Sequence, residues 1–507
     1  MFAIYVIAFL SGLAVMGIEL SASRLIAPYF GTSLFVWTNV IAVILAALSL
    51  GYYLGGRLSE RAPRLRVLLL IIFVAGVLLA VVPFVIRPLA LQFTFDSFTL
   101  ASASFVIVLG SLLLVLALFF IPIMLLGMVS PFLVKIVSLE RHDMGNVAGR
   151  IFAISTIGSI IGTFLPAFVF IPWIGTKFTI LIFATLLVVI GGSGLLPRRL
   201  FGAVLLLGIP FASLDAGLKP VPGLIVEAES PYQYIQVVED SAGTTHLIYN
   251  EGGGVQSVYN PDTLFYGGAY FDYAPLLPAL RESKRVLIVG LAAGTISRAM
   301  QVLYGNDPSF HIDGVEIDPT VIKLGREHFA LGGDDLTVVN ADGRTAIETV
   351  SGAYDVIFVD AYTNQLYIPF HLVTQEFFAA AAERLAPGGI LAINVLASSD
   401  ASELLRSVTN TMASALPYVY RMRIADSWNN LIFASFDPVD FARLTEVPLA
   451  IPEFASLARE IPEEVVPIAF NREGRVLTDD LAPVEHMMDA MIWEYFVDRL
   501  RNERARE

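Results

Sequence analysis

Arg285-Val-Leu-Ile-Val289 runs into Gly290-Leu-Ala-Ala-Gly294, and the same design returns three times within the next 70 residues. The repeats are His311-Ile-Asp-Gly-Val-Glu316-Ile-Asp318, Leu336-Thr-Val-Val-Asn-Ala-Asp342-Gly343 and Tyr354-Asp-Val-Ile-Phe-Val-Asp360. Each is a short β-rich run ending in a small or acidic residue. Such runs, separated by helical patterns, read as parallel strands that present their carboxyl ends to one ligand. The stretch therefore predicts a doubly wound α/β sheet with a nucleoside-type crevice.

Outward from this stretch the pattern continues. A helical periodicity near 372–386, the turn Pro387-Gly-Gly, the run Ile390-Leu-Ala-Ile-Asn-Val and a helix near 401–414 precede two closing strands at 417–424 and 429–436. This predicts an antiparallel edge on the sheet. A last helix is expected near 484–500. On the N-terminal side, alternating runs at 224–227, 234–238, 246–249 and 255–259, with Gly252-Gly-Gly254 between the last two, predict a small antiparallel β unit.

The first 215 residues have another character. The chain has 507 residues, 56 % of them hydrophobic, and a mean hydropathy of +0.71, too apolar for a wholly soluble protein. Apolar runs near 3–23, 34–56, 67–92, 103–127, 151–173 and 177–196 are long enough to cross a bilayer, and 200–214 is a shorter seventh. The expected domains are a transmembrane helical domain at 1–215, a small β domain at 216–283 and a Rossmann-like catalytic domain at 284–507. Residues 1–215 carry 12 Lys+Arg and 6 Asp+Glu, against 20 and 40 in the remainder. The acidic soluble part excludes nucleic acid as an expected partner. Zero cysteines exclude disulfides and thiolate chemistry, and the six scattered histidines suggest no metal site.

Arg57, Arg61, Arg64 and Arg66 mark one loop as cytoplasmic; Lys135, Arg141 and Arg150 mark a second, and Arg198 with Arg199 a third. These agree on a cytoplasmic N-terminus. Because 200–214 is short for a full span, a multi-pass membrane protein with a cytoplasmic catalytic half is expected. Glu19 and Arg24, in or beside the first span, are a structural pair or a functional site. Gly51, Gly55 and Gly56 predict a helix-packing face, and Pro122, Pro131, Pro166 and Pro172 predict kinked helices.

Three carboxylates and a glycine loop carry the chemistry. Gly290 and Gly294 let a ligand approach the backbone, and Glu316, 26 residues past Gly290, sits where a carboxylate binds both ribose hydroxyls. Asp342 with Gly343 either accepts from an adenine amino group or caps the next helix. Asp360 ends the fourth strand, placed to take a proton from an amine or to hold a cation.

With these residues in place, the chain resembles the spermidine synthase (polyamine aminopropyltransferase) family, in its branch with a multi-span N-terminal region. The resemblance rests on Ser230-Pro-Tyr-Gln233, Gly253 with Val255-Gln256, the Gly290–Gly294 loop, Val315-Glu316-Ile-Asp318, Asp342-Gly343 and Val359-Asp360. It extends to Pro369-Phe-His371, Leu477-Thr-Asp-Asp480 and Glu485, and in the first half to Ser11-Gly-Leu-Ala with Glu19, Arg24 and Gly51-x-x-x-Gly55. It implies that Gln233, Glu316, Asp342 and Gly343 hold the nucleoside of decarboxylated S-adenosylmethionine, the co-substrate, and that Asp360 accepts the proton of an attacking polyamine amine. No metal is implied, the bilayer is a partner, and a homodimer stays open.

Three polyamine-recognition positions depart from the family: Ala293, Gly267 and Thr363 stand where Asp, His and Asp are expected. Asp479, Asp480 and Glu485 from the C-terminal segment are candidates to restore the missing negative charge; a solvated acidic turn is the alternative. Two other functions stay open. One is an S-adenosylmethionine-using alkyltransferase or lyase; the other is a transporter or sensor whose soluble half binds nucleoside or polyamine without turnover.

Overall fold

The computed structural model describes residues 1–93, 106–139, 144–195, 197, 217–250, 254–281, 283–363 and 366–504. The expected seventh run at 200–214, and Arg141, Arg198, Arg199, Gly252 and Gly253, lie outside them. The chain forms two compact units. One comprises residues 1–99, 103–221 and 229–234; the other comprises 100–102, 222–228 and 235–507.

The first unit is helical: α1 (Phe2–Phe30), α2 (Leu34–Arg61), α3 (Leu65–Phe93), α4 (Ser111–Gly127), α5 (Val129–Ser138), α6 (Met144–Leu165) and α7 (Ile171–Ser193). Among the described residues, five helical stretches are long and apolar enough to cross a membrane: Phe2–Phe30, Leu34–Arg61, Leu65–Gln92, Val108–Ser138 and Gly145–Ser193. The last, 49 residues long, contains both spans expected at 151–173 and 177–196. Gly175, with φ 79° and ψ 167°, breaks it between them. The expected kinks have a visible cause at Pro166, which opens a π-type turn over Pro166–Phe170. Gly51 and Gly55 bring α2 against α4 and α5, since a methyl group on either would collide with the backbone of Met124 or Met128. Gly56, expected on the same face, has open space beside it.

Residues 218–221 and 229–231 belong to this unit and are tied to one end of the bundle. Tyr29 donates its hydroxyl to the Leu218 carbonyl (2.6 Å), and Lys219 donates to the Pro28 carbonyl (2.7 Å). The Arg24 guanidinium donates to the carbonyls of Ser230 and Pro231, and the Thr176 N–H donates to Glu229 (2.9 Å). Pro28 and Tyr29 close α1, whereas Arg57 and Arg61 close the returning α2 and Arg64 and Arg66 open α3. The arginine-rich loop and residues 218–219 are therefore at opposite ends of the bundle.

Among the described residues, the second unit holds two sheets. The small one runs β1-β2-β3-β4 from β1 (Leu224–Glu229), β2 (Tyr234–Glu239), β3 (Thr245–Tyr249) and β4 (Val255–Tyr259), as expected. The large one contains β5 (Arg285–Val289), β6 (His311–Glu316), β7 (Leu336–Asn340), β8 (Tyr354–Val359), β9 (Leu385–Leu396), β10 (Tyr418–Arg423), β11 (Asn429–Ser435) and β12 (Val465–Ile468). Its order is β12-β10-β11-β9-β8-β5-β6-β7. Pairs β5–β6, β5–β8, β6–β7 and β8–β9 are parallel, and β9–β11, β10–β11 and β10–β12 are antiparallel. The four quoted runs are thus adjacent, with their carboxyl ends together. This is a Rossmann-like α/β arrangement with a mixed sheet: a parallel half and an antiparallel edge.

Helices α8 (Thr295–Tyr304), α9 (Pro319–His328), α10 (Gly343–Thr349), α11 (Gln375–Ala382), α12 (Glu403–Ala415), α13 (Pro452–Glu464) and α14 (Val484–Arg504) complete the unit. Two details differ from expectation. Pro387-Gly-Gly is not a turn before the strand but lies inside β9, where the pairing with β8 shifts register between Tyr354 and Val356. A bulge absorbs the proline, which has no N–H for the ladder, and Gly388 takes φ +74°. The segment 452–468 adds α13 and the edge strand β12, neither of which the periodicity marked.

The small sheet docks on the glycine loop. Ile235, Val237, Leu247 and Tyr249 share one buried cluster with Ala293, Val321, Leu324 and Phe329. Ala293 donates its N–H to Ser257 Oγ (3.0 Å), and Thr295 Oγ1 bonds both the N–H and the carbonyl of Val258 (2.8 Å each).

Candidate active site

The site is assembled where β5, β6, β7 and β8 end. Gly290 has φ +94°, and a Cβ there would strike the carbonyl of Asp360, so the glycine lets the loop after β5 lie directly on the end of β8. Gly294, φ +92°, turns the loop into α8. Between them Ala292, itself at φ +49°, donates its N–H to Glu316 Oε2 (2.9 Å).

Glu316 is buried (7 % exposed), and its other oxygen accepts the Asp318 N–H at 3.0 Å. Burial pushes its carboxyl up to about 7, against the pull of those two N–H donors. Each oxygen keeps a lone pair beyond the one used, so the carboxylate can accept from a vicinal diol. Glu316 and the Gly290–Gly294 loop are brought together as expected.

Asp342 caps α10: its Oδ1 accepts the Thr345 N–H (3.0 Å), while its Oδ2 lies 3.2 Å from His371 Nε2. Burial pushes this carboxyl up, but the Thr345 N–H and the imidazole outweigh it and hold it below the usual range. Gly343 follows with no room for a side chain, since a Cβ would meet Val289 at 2.6 Å.

Asp360 is half-buried at the end of β8. Asn394 donates to its Oδ1 at 3.0 Å, and the Tyr270 hydroxyl also bonds it. Burial pushes the carboxyl up to about 6, with Asn394 and Tyr270 pulling the other way. Tyr362, two residues on, donates to the Asn394 carbonyl and accepts the Leu396 N–H (3.0 and 3.2 Å). Both tyrosines are raised well above their ordinary value, first by burial and next by the Asp360 charge. They remain neutral donors at physiological pH.

The remaining expected residues have their own local partners. Gln233 is buried just before β2, its N–H bonded to Ser230 Oγ (3.0 Å). Asp479 is engaged by Arg344 Nη2 (3.2 Å) and by the Thr374 hydroxyl (2.7 Å). Asp480 and Glu485 are exposed. Of the three departures, Ala293 is fully buried in the cluster beneath the small sheet, Gly267 is exposed, and Thr363 spends its hydroxyl on the Tyr367 carbonyl (3.1 Å).

Tyr270 and Asn394 were not singled out from the sequence. Asn394 had a signal, being the one polar residue inside Ile390-Leu-Ala-Ile-Asn-Val. Tyr270 had none, because its approach to Asp360 depends on the loop before it. There Asp272, fully buried, accepts the N–H groups of Tyr266 and Gly268 (3.1 and 2.8 Å).

The spermine/spermidine synthase domain profile fits residues 275–437. The second unit carries a spermine/spermidine synthase domain. The resemblance drawn from the motifs is thereby borne out, and the long apolar helices of the first unit fit a membrane-fused extension of that domain.

Among relatives, the probable polyamine aminopropyl transferase of Bifidobacterium longum is 31 % identical over 298 residues, covering 53 % of this chain and 64 % of that protein. The polyamine aminopropyltransferase of Vibrio vulnificus is 28 % identical over 220 residues, 40 % of this chain and 69 % of that protein. The chain thus spans somewhat less than two thirds of the first relative. A probable spermidine synthase from Corynebacterium glutamicum superposes with a TM-score of 0.40 at 19 % identity, covering 52 % of this chain and 99 % of that one.

Proposed function

We propose that the catalytic half transfers an aminopropyl group from decarboxylated S-adenosylmethionine to a polyamine such as putrescine, releasing methylthioadenosine. The observation that carries this reading is Asp360. It is a carboxylate raised to about 6, held by Asn394 and Tyr270, adjoining the glycine loop through Gly290. Glu316 receives the ribose hydroxyls, and Asp342 with Gly343 borders the base. The incoming ammonium gives one proton to Asp360. The freed nitrogen lone pair forms the new C–N bond while the C–S bond breaks, and its electron pair neutralises the sulfonium. The donor brings its own leaving group, so the protein positions the partners and removes a proton.

The test is methylthioadenosine release from purified protein given S-adenosylmethionine or its decarboxylated form, each with and without putrescine. Release with the decarboxylated donor and putrescine together supports the proposal. Release from S-adenosylmethionine without an acceptor contradicts it, and indicates a lyase.

The protein is inferred to be bound in a membrane through its apolar helices. The side on which catalysis occurs is inferred from charge and chain direction. Arg57, Arg61, Arg64 and Arg66 mark their end of the bundle as cytoplasmic. The bonds of Leu218 and Lys219 to Tyr29 and Pro28 tie the chain to the other end before it continues to residue 235. This supports an extracytoplasmic catalytic half, in place of the cytoplasmic one expected from the shortness of 200–214. The sulfonium donor must then be present on that face.

A further inference from the structure

A cavity of about 440 Å3 opens beside Asp360, on the side of β9 and β11 away from Glu316. Its wall includes Tyr270, Tyr362 and Asn394, the residues that surround Asp360, and continues to Gln256, Trp428 and Asp426. Among the described residues, none that lines it is basic, and Asp426 is its one carboxylate. With Asp360 behind Tyr270 and Asn394, the cavity has a negative charge at the floor and another on the wall. Aromatic faces and amides lie between them. A lining of this kind, with carboxylates and aromatic faces and no cationic side chain, favours cations over anions.

The two carboxylates are linked by a short path. Asn394 Nδ2 donates both to Asp360 Oδ1 and to Asn429 Oδ1, 3.0 Å each, and Asp426 is three residues before Asn429. Asp426 sits between β10 and β11 at φ +52°, a left-handed conformation that Asp tolerates better than most residues. The turn is closed around it: Ile424 N–H donates to the Asn429 carbonyl (3.0 Å), and the Ser427 hydroxyl donates to the Ile424 carbonyl (3.1 Å). The carboxylate is exposed and is thus carried on a built turn rather than on a free loop.

We propose that Asp426 receives the distal ammonium of a diamine or longer polyamine acceptor whose reacting amine lies at Asp360. This rests on the aminopropyl-transfer reading. It places the lost recognition charge on the β10–β11 turn. Ala293, Gly267 and Thr363 do not supply that charge, and Asp479 is committed to Arg344 and Thr374. The acceptor class follows: two cationic nitrogens, joined by a chain that crosses the aromatic wall.

The experiment compares putrescine with n-butylamine, which has the same carbon chain and no second ammonium, in full-length wild type and Asp426→Asn. Methylthioadenosine release from the decarboxylated donor is the readout. The expected result is a KM for putrescine about tenfold or more higher in Asp426→Asn, kcat within about twofold, and an unchanged KM for butylamine. An unchanged putrescine KM, or an equal rise for both amines, overturns the assignment. If wild type releases no methylthioadenosine with either amine, the aminopropyl-transfer reading fails. Putrescine binding by calorimetry then judges Asp426 separately: binding weakened about tenfold in Asp426→Asn upholds it, and equal binding overturns it.

Discussion

Asn394 and Asp360, on neighbouring parallel strands, are joined by a 3.0 Å hydrogen bond in which the amide donates and the carboxylate accepts. The bond fixes one oxygen of Asp360 and, through Asn429 Oδ1, ties the site to the antiparallel edge. It stabilises the ionised carboxylate against the burial that raises it. Asn394→Ala should therefore shift the acid limb of the pH–rate profile upward from about 6 and lower kcat about tenfold or more. Asn394→Asp, placing a second carboxylate beside the first, should shift it further. A profile unchanged in Asn394→Ala would mean that the amide does not tune Asp360.

Glu316 makes a separate prediction on donor binding. Its carboxyl lies at about 7 through burial, and its ionised form is the stronger acceptor for ribose hydroxyls. Donor affinity should fall as pH drops through 7. Glu316→Gln should weaken donor binding about ten- to a hundredfold, with a smaller effect on kcat. Calorimetric titration with methylthioadenosine across pH 5.5 to 8.5 checks both.

Asp479 separates a structural role from a recognition role. It bonds Arg344, whose side chain is 19 % exposed, while Asp479 itself is 47 % exposed, so solvent screens the pair. Asp479→Ala should lower thermal stability modestly, by about 1 kcal/mol or less, and leave the putrescine KM within about twofold. A large rise in that KM would return Asp479 to acceptor binding, the role expected for it from the sequence.

The buried carboxyl of Asp272 organises the loop that delivers Tyr270. Burial raises it to about 6 despite the N–H groups it accepts from Tyr266 and Gly268. Because its folded value lies above its ordinary 3.8, its contribution favours folding most at low pH and is lost as pH rises from about 4 to 6. Asp272→Ala leaves those N–H groups unpaired and should cost about 1–3 kcal/mol in urea denaturation. A loss below about 0.5 kcal/mol would show that the loop holds without the carboxylate.

The absence of cysteine makes the sidedness inference direct to test. Ser241→Cys, on the exposed β2–β3 turn, and Ala62→Cys, between α2 and α3, each introduce a lone thiol. An impermeant maleimide on intact cells should label position 241 and should reach position 62 only after permeabilisation. The reverse pattern would place the catalytic half in the cytoplasm.

The quoted stretch was readable because its signals are local. Apolar runs with period-two ends make strands, and Gly290 and Gly294 mark the turn that lets Ala292 reach Glu316. What could not be read depends on contacts between distant segments. Tyr270 and Asn394 reach Asp360 from 90 residues before it and 34 after it, and no spacing rule couples them. Pro387-Gly-Gly misled because a proline usually ends a strand, whereas β9 accommodates it at a bulge. The edge strand β12 escaped notice because four residues carry too little alternation, and its place is set by pairing with β10. Asp342 kept two readings; the cap is present, and its second oxygen meets His371.

The central claim is that Asp360 takes the proton of an attacking amine in aminopropyl transfer. Its most direct test is the rate of methylthioadenosine release from decarboxylated S-adenosylmethionine and putrescine, measured against pH for wild type and Asp360→Asn. The account predicts a wild-type rate that rises through about pH 6, and a fall of about a hundredfold or more in Asp360→Asn with methylthioadenosine binding preserved. Full activity in Asp360→Asn, with the acid limb intact, would contradict it.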